Sequence, residues 1–523
     1  MAGSELSGVA AAVERTRKSY DETPYFSAPL MRSHPGRLAA QALWRGLAAP
    51  DAAKARVLEI GCASGGNLLP LAAVLPDASF LGLDLSPAQI AAGEARRQRY
   101  GLANVELRAD TFEALGEADG EFDFIVCHGV YSWIPEPLRD SLLRVVGARL
   151  APAGLAMVSF NVLPGWRVLQ IARDAMLLNA RLIDEPARRP EKTRELFALL
   201  AAQSPDKRTY GKFWRDEAQR MVAGGDAYLA HEIFEDSNAP ETFADFIARA
   251  GGSDLEYLSE AVAVANNAAD LAPDAAQTIE ALAGGDRLKR ETYIDIFSGR
   301  SFREALLVRA GRTGALTPAP PPQTLKALHF LPALDFEFAS DAPDAFLIRA
   351  GGAELGFSGL AGAAPAMRRL AEGRPGSSSW MELVPEPDKS TQTAAGEALR
   401  VAVEAGLVSV STLAVACATR LAERPRLWGL AAGDAPESAF SVTLRHSAFQ
   451  FAPLQRLLAP LVDGTRTRDD LVDAAVGMAL SGRLSIGGPG GPIIEPARMR
   501  GPVEGAVDAA LAGFLRNALL IDP

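Results

Sequence analysis

The sequence predicts an α/β protein built on an open, mostly parallel sheet, with further domains after it. Three observations carry that expectation. Five apolar runs of strand length, VLEIG, SFLGLDL, VELRAD, FDFIVCHG and GLAMVSFNV, alternate with helix-like stretches between Val57 and Val162. The first run turns at once into a segment dense in small residues, EIGCASGGN at 59–67. The chain also has 523 residues, more than one core of about 100–200 residues accommodates. Strands alternating with helices at this spacing imply β-α-β crossovers and a sheet covered by helices on both faces.

Taken in order, residues 1–50 read as two helices around a turn rich in proline and aromatics, TPYFSAPLMRSHPGR, and are expected to form a lid or strap. Residues 51–170 hold the five strands, with PAQIAAGEARRQRYG and EPLRDSLLRVVGARLAPAG as connecting helices. From 171 to 312 no strand rhythm stands out. Segments such as ARDAMLLNARLI, EKTRELFALLAAQ and PETFADFIARAG carry apolar residues at helical spacing, so a mostly helical domain is expected. The stretch GRTGALTPAPPPQTLKAL favours an extended connection and marks a boundary. Residues 324–435 mix short strands, HFLPALDFEF and DAFLIRAGGAELGF, with the helical STQTAAGEALRVAVEAGL. Residues 436–523 alternate helices with the Gly/Pro loop SIGGPGGPIIEPARMRGP, the pattern of a winged-helix-like module.

Composition narrows the classes of function. Hydrophobic residues make up 48% and charged residues 22%, ordinary globular usage. A formal net charge of −11 argues against a general nucleic-acid binder, which needs a basic surface. Cys62, Cys127 and Cys417 lie far apart without metal-ligand spacing, which fits a reducing compartment and no structural zinc. No segment offers the ~18 uncharged apolar residues of a membrane span, and the N-terminus lacks the apolar core of a secretory signal. The expectation is a cytoplasmic protein.

In an open α/β sheet, ligands bind beyond the carboxyl ends of the strands. A backbone passing close to a ligand cannot carry large side chains, so Gly61, Ala63, Gly65 and Gly66 make room. Glu59 and Asp84 stand near the ends of the first and second strands, and a carboxylate at the end of the second can accept both hydroxyls of a ribose. An ATP-type phosphate loop needs a lysine and a hydroxyl residue that this turn lacks. A dinucleotide fingerprint is matched only as Gly61, Ala63, Gly66, its middle glycine replaced. S-adenosylmethionine fits better: it has no pyrophosphate to cradle, and its sulfonium tolerates an acidic pocket. Asp110, ending the third strand, is placed to accept from an adenine amino group. The loop CHGVYSWIP follows the fourth strand, where the transferred methyl would lie.

The segments EIGCASGGN, GLDLSPAQI, RADTF and HGVYSW resemble a class I S-adenosylmethionine-dependent methyltransferase. Adding PYFSAPLMRSHPGRLAA, SFNVLPGW, YLAHEIFEDSNAPETFADFIARAG, SFREALLVRAG and LLAPLVDGTRTRDDLV, the chain is similar to a bacterial family that joins such a domain to a methyltransferase regulatory domain. That family includes protein-lysine methyltransferases acting on outer-membrane proteins. The resemblance implies a Rossmann-like domain, then a mostly helical regulatory domain, then an α+β region ending in a winged-helix-like module. It implies S-adenosylmethionine contacts from Glu59, Gly61, Ala63, Gly65 and Asn67 in the first loop, and from Asp84, Leu85 and Gln89 after the second strand. Asp110 and Thr111 follow the third strand, and His128 and Gly129 the fourth. Two departures stand out: Ala63 in place of a glycine, and Ser159-Phe160-Asn161-Val162 where the family carries a Tyr and a Thr.

A lysine acceptor must lose a proton, against a reference pKa near 10.4. An apolar channel lowers that value by disfavouring charge. Tyr131 and Trp133 are expected to line such a channel, the Tyr131 hydroxyl orienting the amine; the competing reading is that both rings pack the loop. Asn161 either contacts the acceptor or caps the loop, and His128 is expected to shape the cofactor pocket through its own hydrogen bonds, with proton acceptance as the competing reading. Tyr25 and His34 fit a lid or a packed strap. His231, Glu232, Glu235 and Asp236 do not match H-E-x-x-H and are expected to be structural, so no metal is expected. Cys62 and Cys127 read as packing residues. The leading function is methyl transfer to an amine, a protein lysine, with the appended domains recognising the acceptor. Two readings remain beside it: a small-molecule amine or hydroxyl as acceptor, and a non-catalytic cofactor-binding sensor or scaffold. A homodimer is compatible with the family.

Overall fold

Strands β1 (Arg56–Ile60), β2 (Ser79–Asp84), β3 (Val105–Ala109), β4 (Phe122–Cys127) and β5 (Leu150–Leu163) form from the five apolar runs. The apolar content of β1, β2, β4 and β5 reflects burial on both faces, as parallel sheets require, whereas β3, at the sheet edge, buries Val105 and leaves Glu106 and Ala109 exposed. The structure is a computed structural model. It describes residues 2–522 except 186–187, 205–208, 224–232, 236, 263–270, 272, 318, 343–344, 386–387, 486, 489–490 and 493–495. Helices of the N-terminal half are α1 (Ala2–Glu22), α2 (Pro35–Trp44), α3 (Leu68–Val74), α4 (Pro87–Arg99), α5 (Glu136–Arg149), α6 (Trp166–Arg181), α7 (Arg189–Gln203) and α8 (Thr209–Ala223). Next come β6 (Glu241–Thr242), α9 (Phe243–Gly251), β7 (Leu255–Glu260), α10 (Pro273–Ala283), α11 (Arg287–Ser298) and β8 (Phe302–Arg309).

The sheet runs β3-β2-β1-β4-β5-β8-β7, with β6 beside β5. β1 to β5 are parallel, and β8 runs antiparallel to both β5 and β7. The region read as mostly helical is so, and it also supplies β6, β7 and β8, which no strand rhythm in the sequence announces. The reason is chemical. LEYLSE and FREALLVR bury charged residues, so neither shows the clean apolar pattern of a strand. The Arg303 side chain is fully buried, donates to Asp295 at 2.8 and 2.9 Å and to Glu291 at 3.2 Å, and also reaches Glu260. Its guanidinium lies 4.1 Å from the centroid of the Phe243 ring. Charges paired this completely are tolerated inside a protein, and here they fasten α11 to the sheet.

Two compact units result: 1–27 with 55–68 and 79–314, and 28–54 with 69–78 and 315–523. The expected N-terminal strap is therefore divided, α1 belonging to the first unit and α2 to the second. The second unit contains a three-stranded meander, Glu337–Ala342, Ala345–Ala350 and Ala353–Ser358, and a sheet of Ser378–Ser379, His329–Pro332 and Val408–Ser411. Toward the C-terminus lie the hairpin Phe440–Val442 with Ala448–Gln450 and the helices Arg468–Leu480 and Pro496–Arg516. Among the described residues no helix is long and apolar enough to cross a membrane.

Candidate functional site

Strand register assembles the site. Glu59 pairs with Val126, Val126 with Met157, Ser159 with Glu304 and Asn161 with Phe302. Side chains alternate along a strand, so Glu59, Ser159, Asn161, Phe302 and Glu304 share one sheet face, and His128 continues it just past β4. The opposite face holds Ile60, Cys127, Val158 and Phe160 in the hydrophobic core.

At the end of β1 the backbone turns sharply. Gly61 has φ +80°, and a Cβ there would come within 2.4 Å of Val130 Cγ2, so only glycine fits. Ala63 also has positive φ, 49°, and its N–H donates to Asp84 Oδ2 at 2.8 Å. Asp84 Oδ1 accepts the Ser86 N–H at 2.9 Å. Burial raises the Asp84 pKa while these two bonds oppose the rise. Each carboxylate oxygen can accept a second hydrogen bond, which leaves Asp84 free to take ligand hydroxyls.

Glu59 is buried, and its Oε1 accepts from Asn67 Nδ2 at 3.0 Å. Its Oε2 is buried without a partner, and burial pushes the carboxyl pKa up to about 8, Asn67 opposing and Asp84 adding to the rise. Gln89, in the first turn of α4, is also buried with both amide atoms unsatisfied. Buried polar atoms left open are costly. They fit a ligand bringing a positive charge and hydrogen-bonding groups, and the ammonium, sulfonium and ribose of S-adenosylmethionine supply both.

Further round the rim, Asp110 is exposed, and its Oδ1 accepts the Thr111 N–H at 2.8 Å. Leu85 is half-buried between Asp84 and the α4 cap Ser86. Gly129, at φ +70°, donates its N–H to Ser159 Oγ at 2.8 Å.

Residues 21–27 lie over this turn within the first unit. Ser27 Oγ accepts the Gly66 N–H at 2.7 Å, and a Cβ on Gly66 would meet the Ser27 carbonyl oxygen at 2.2 Å. Asp21 Oδ1 accepts from Ser86 Oγ at 2.6 Å. Tyr25 is 41% exposed beside this latch. His34 is not an exposed lid residue: in the second unit it caps α2, its Nδ1 accepting the Gly36 N–H at 3.1 Å.

On the acceptor side, His128 Nδ1 is 3.8 Å from Glu304 Oε1, and its ring meets Phe302 edge-on with centroids 5.7 Å apart. Asn161 is buried, its N–H donating to Ser132 Oγ at 2.8 Å and its Nδ2 unsatisfied. Trp133 packs edge-on against Trp166, centroids 6.3 Å apart. Tyr131 departs from expectation and does not line an open channel. Its ring is fully buried, edge-on to Phe246 at 5.3 Å and to Phe160 at 6.2 Å. Its hydroxyl faces Glu241, whose carboxylate also lies 3.3 Å from Arg249. Two core phenylalanines offer the ring a better surface than solvent, the arrangement that the packing reading describes.

Nothing in the sequence pattern points to Glu304, Ser27 or Asp21. Only a strand assignment for FREALLVR would have pointed to Glu304. In the expected acidic cluster, Glu235 is buried and accepts from Thr16 Oγ1 at 2.8 Å, while His231, Glu232 and Asp236 lie outside the described residues. The described residues contain no group of metal-ligating side chains. Cys62, Cys127 and Cys417 are free and buried, burial pushing the Cys127 thiol up to about 12.

Three family models match the chain in succession: a methyltransferase domain at 57–154, a predicted methyltransferase regulatory domain at 225–309, and a PKMT C-terminal winged helix domain at 423–519. Uncharacterized protein RP028 of Rickettsia prowazekii is 34% identical over 248 residues, 47% of this chain and 99% of that protein. The chain belongs to the class I S-adenosylmethionine-dependent methyltransferases with a methyltransferase regulatory domain. A second relative, uncharacterized protein RP789 of the same organism, is 33% identical over 289 residues, 55% of this chain. The chain spans about half of that relative, 52% of its length. The structure of PKMT2 from Rickettsia typhi in complex with AdoHcy superposes with a TM-score of 0.82 at 24% identity, covering 95% of this chain and all of that one. That likeness establishes the fold of this methyltransferase across both units. The regulatory-domain match ends at residue 309, so it includes β8, and it is this strand that brings Glu304 beside His128.

Proposed function

We propose that the protein transfers a methyl group from S-adenosylmethionine to the side chain of a protein lysine. The observation that carries this reading is the buried Glu304 carboxylate, 3.8 Å from His128, on the sheet face that also carries Glu59. A carboxylate there favours an acceptor that arrives as a cation, as a lysine does at neutral pH. A neutral hydroxyl or a catechol-like acceptor would gain nothing from it.

Bound S-adenosylmethionine supplies an electrophilic methyl on a good, neutral leaving group. The chain's own residues have the remaining work. Gly61, Ala63 and Gly65 open the turn, Asp84 and Glu59 offer acceptors, and Gln89 offers an open amide. The Asp21 and Ser27 latches hold the strap over the turn and limit water. Glu304 draws in the ammonium, and His128 beside it is placed to receive the proton that the amine must lose. Trp133 and Phe302 are apolar neighbours that disfavour the charged amine and so ease that loss. Asn161 Nδ2 is left to orient the acceptor.

The PKMT winged helix match and the likeness to PKMT2 support a protein acceptor. Free, buried cysteines fit the cytoplasmic setting that this function implies. The test is incubation with isotopically labelled cofactor and a cell lysate, followed by mass spectrometry of labelled proteins. Methylated lysines are the expected result. Label confined to small molecules would move the acceptor to that class, and cofactor binding without any transfer would make the protein a sensor.

A further inference from the structure

The interior of the second unit gathers cationic side chains from two distant stretches of sequence. Arg37 stands in the first turn of α2, 9% exposed, one turn from the capping His34. Because His34 Nδ1 accepts the Gly36 N–H, the ring carries its proton on Nε2. From the other direction, the loop of the hairpin Phe440–Val442 with Ala448–Gln450 turns Arg445 and His446 inward. They are 6% and 3% exposed, and His446 is held at φ +59°. The two histidine rings meet edge-on, centroids 5.7 Å apart. Hairpin loops ordinarily send charged residues into water; this one buries them.

Arg445 donates to the carbonyl oxygens of Pro375 at 3.1 Å and Pro332 at 2.7 Å, which satisfies N–H groups and leaves the charge. Arg37 Nη2 is buried with no hydrogen-bond partner. Among the described residues no carboxylate pairs with either guanidinium. Burial, with the opposing charge of the other arginine, holds Arg37 down to about 9, and burial holds Arg445 down to about 10. His34 is driven to about 3 by burial and by Arg37. Buried like charges without a counter-charge are strongly unfavourable, and proteins meet that situation by pairing them or by binding an ion.

We propose that this cluster is a binding site for a small oxyanion, a phosphate or a carboxylate, held by Arg37 and Arg445 and tying the first turn of α2 to the 443–447 loop. Guanidinium forks match the paired oxygens of either anion, and the positive end of α2 adds to the attraction. The anion is then a structural ligand of the second unit, separate from the methyl donor.

The experiment is calorimetric unfolding of the full chain, with AdoHcy present throughout so that anions entering the methyl-transfer site do not register. Inorganic phosphate and, separately, acetate are titrated against sodium chloride of matched ionic strength. The expected result is a saturable rise in Tm of about 2–4 °C for the wild type. Arg37→Met should lack the rise while matching or exceeding the wild-type Tm in chloride. A response to acetate alone assigns a carboxylate; a response to phosphate assigns the tetrahedral anion. A wild-type Tm that follows ionic strength only, or an R37M protein that keeps the rise, overturns the proposal. Should R37M fail to fold, phosphorus NMR of phosphate with the wild type decides: saturable line broadening supports the site, and unbroadened lines overturn it.

Discussion

The two halves of the methyl-transfer face are built in different ways. On the cofactor side the partners are near in sequence: Asn67 bonds Glu59 eight residues away, and Ala63 bonds Asp84 twenty-one residues away. Backbone N–H groups and carboxylates make up most of that cradle, and positive φ at Gly61, Ala63 and Gly65 shapes it. On the acceptor side His128 follows β4 while Glu304 arrives on β8, a strand near the far end of the first unit. The cofactor cradle is thus a local motif that many chemistries share, whereas the proposed acceptor pocket requires the regulatory segment to pair with β5.

Substitutions can break or sharpen that contrast. The largest effect is expected from Asp84→Ala, which removes the anchor of both the Ala63 and Ser86 N–H groups together with the proposed ribose acceptor. Affinity for AdoHcy should fall about 100-fold, the cost of two charge-assisted hydrogen bonds, as read by isothermal titration calorimetry. Glu304→Gln should lower kcat/KM for a lysine acceptor by roughly 10- to 100-fold, as one charge opposite a cationic substrate is removed. Steady-state kinetics with a methylatable protein would show it.

Glu59 gives a pH-dependent comparison. Its carboxyl titrates near 8 in the fold and near its ordinary 4.5 when unfolded, so the native state holds the extra proton between those values. The stability it contributes is complete below pH 4.5 and is lost as pH rises toward 8. Glu59→Gln removes this dependence. Denaturant melts of the cofactor-free protein at pH 5 to 8 should therefore show the variant gaining on the wild type by up to about 1 kcal/mol per pH unit. A smaller change is expected for Asp21→Asn, which weakens the strap latch to Ser86: cofactor release measured by stopped flow should quicken about fivefold. Tyr131→Phe is expected to do least, leaving kcat within about twofold, because the hydroxyl faces Glu241 inside the core. A collapse of kcat in that variant would return Tyr131 to the acceptor channel.

What could be read from sequence follows the same division. EIGCASGGN and FLGLDLS announce a strand, a turn without side-chain bulk and a carboxylate, because each feature is a local backbone requirement. The strap residues Asp21 and Ser27 were not singled out, since nothing in DETPYFSAP marks which oxygen will meet Gly66 or Ser86. β7 and β8 were hidden by their own chemistry. Arg303, Glu260, Glu291 and Asp295 look solvated when read one at a time, and only their mutual pairing makes FREALLVR a buried strand. The burial of Tyr131 is hidden for the opposite reason. An aromatic residue in a catalytic-side loop fits a channel and a core equally well until Phe160 and Phe246, stacked with centroids 4.0 Å apart, fix the answer.

The most direct test of the separation between cradle and acceptor pocket is AdoHcy titration into wild-type and Glu304→Gln protein, paired with methyl transfer by the same samples. One-to-one binding with Kd equal within about twofold for the two proteins is expected, alongside transfer lowered roughly 10- to 100-fold in the variant. A Kd that weakens in step with the transfer rate, or no uptake of AdoHcy by the wild type, would contradict it.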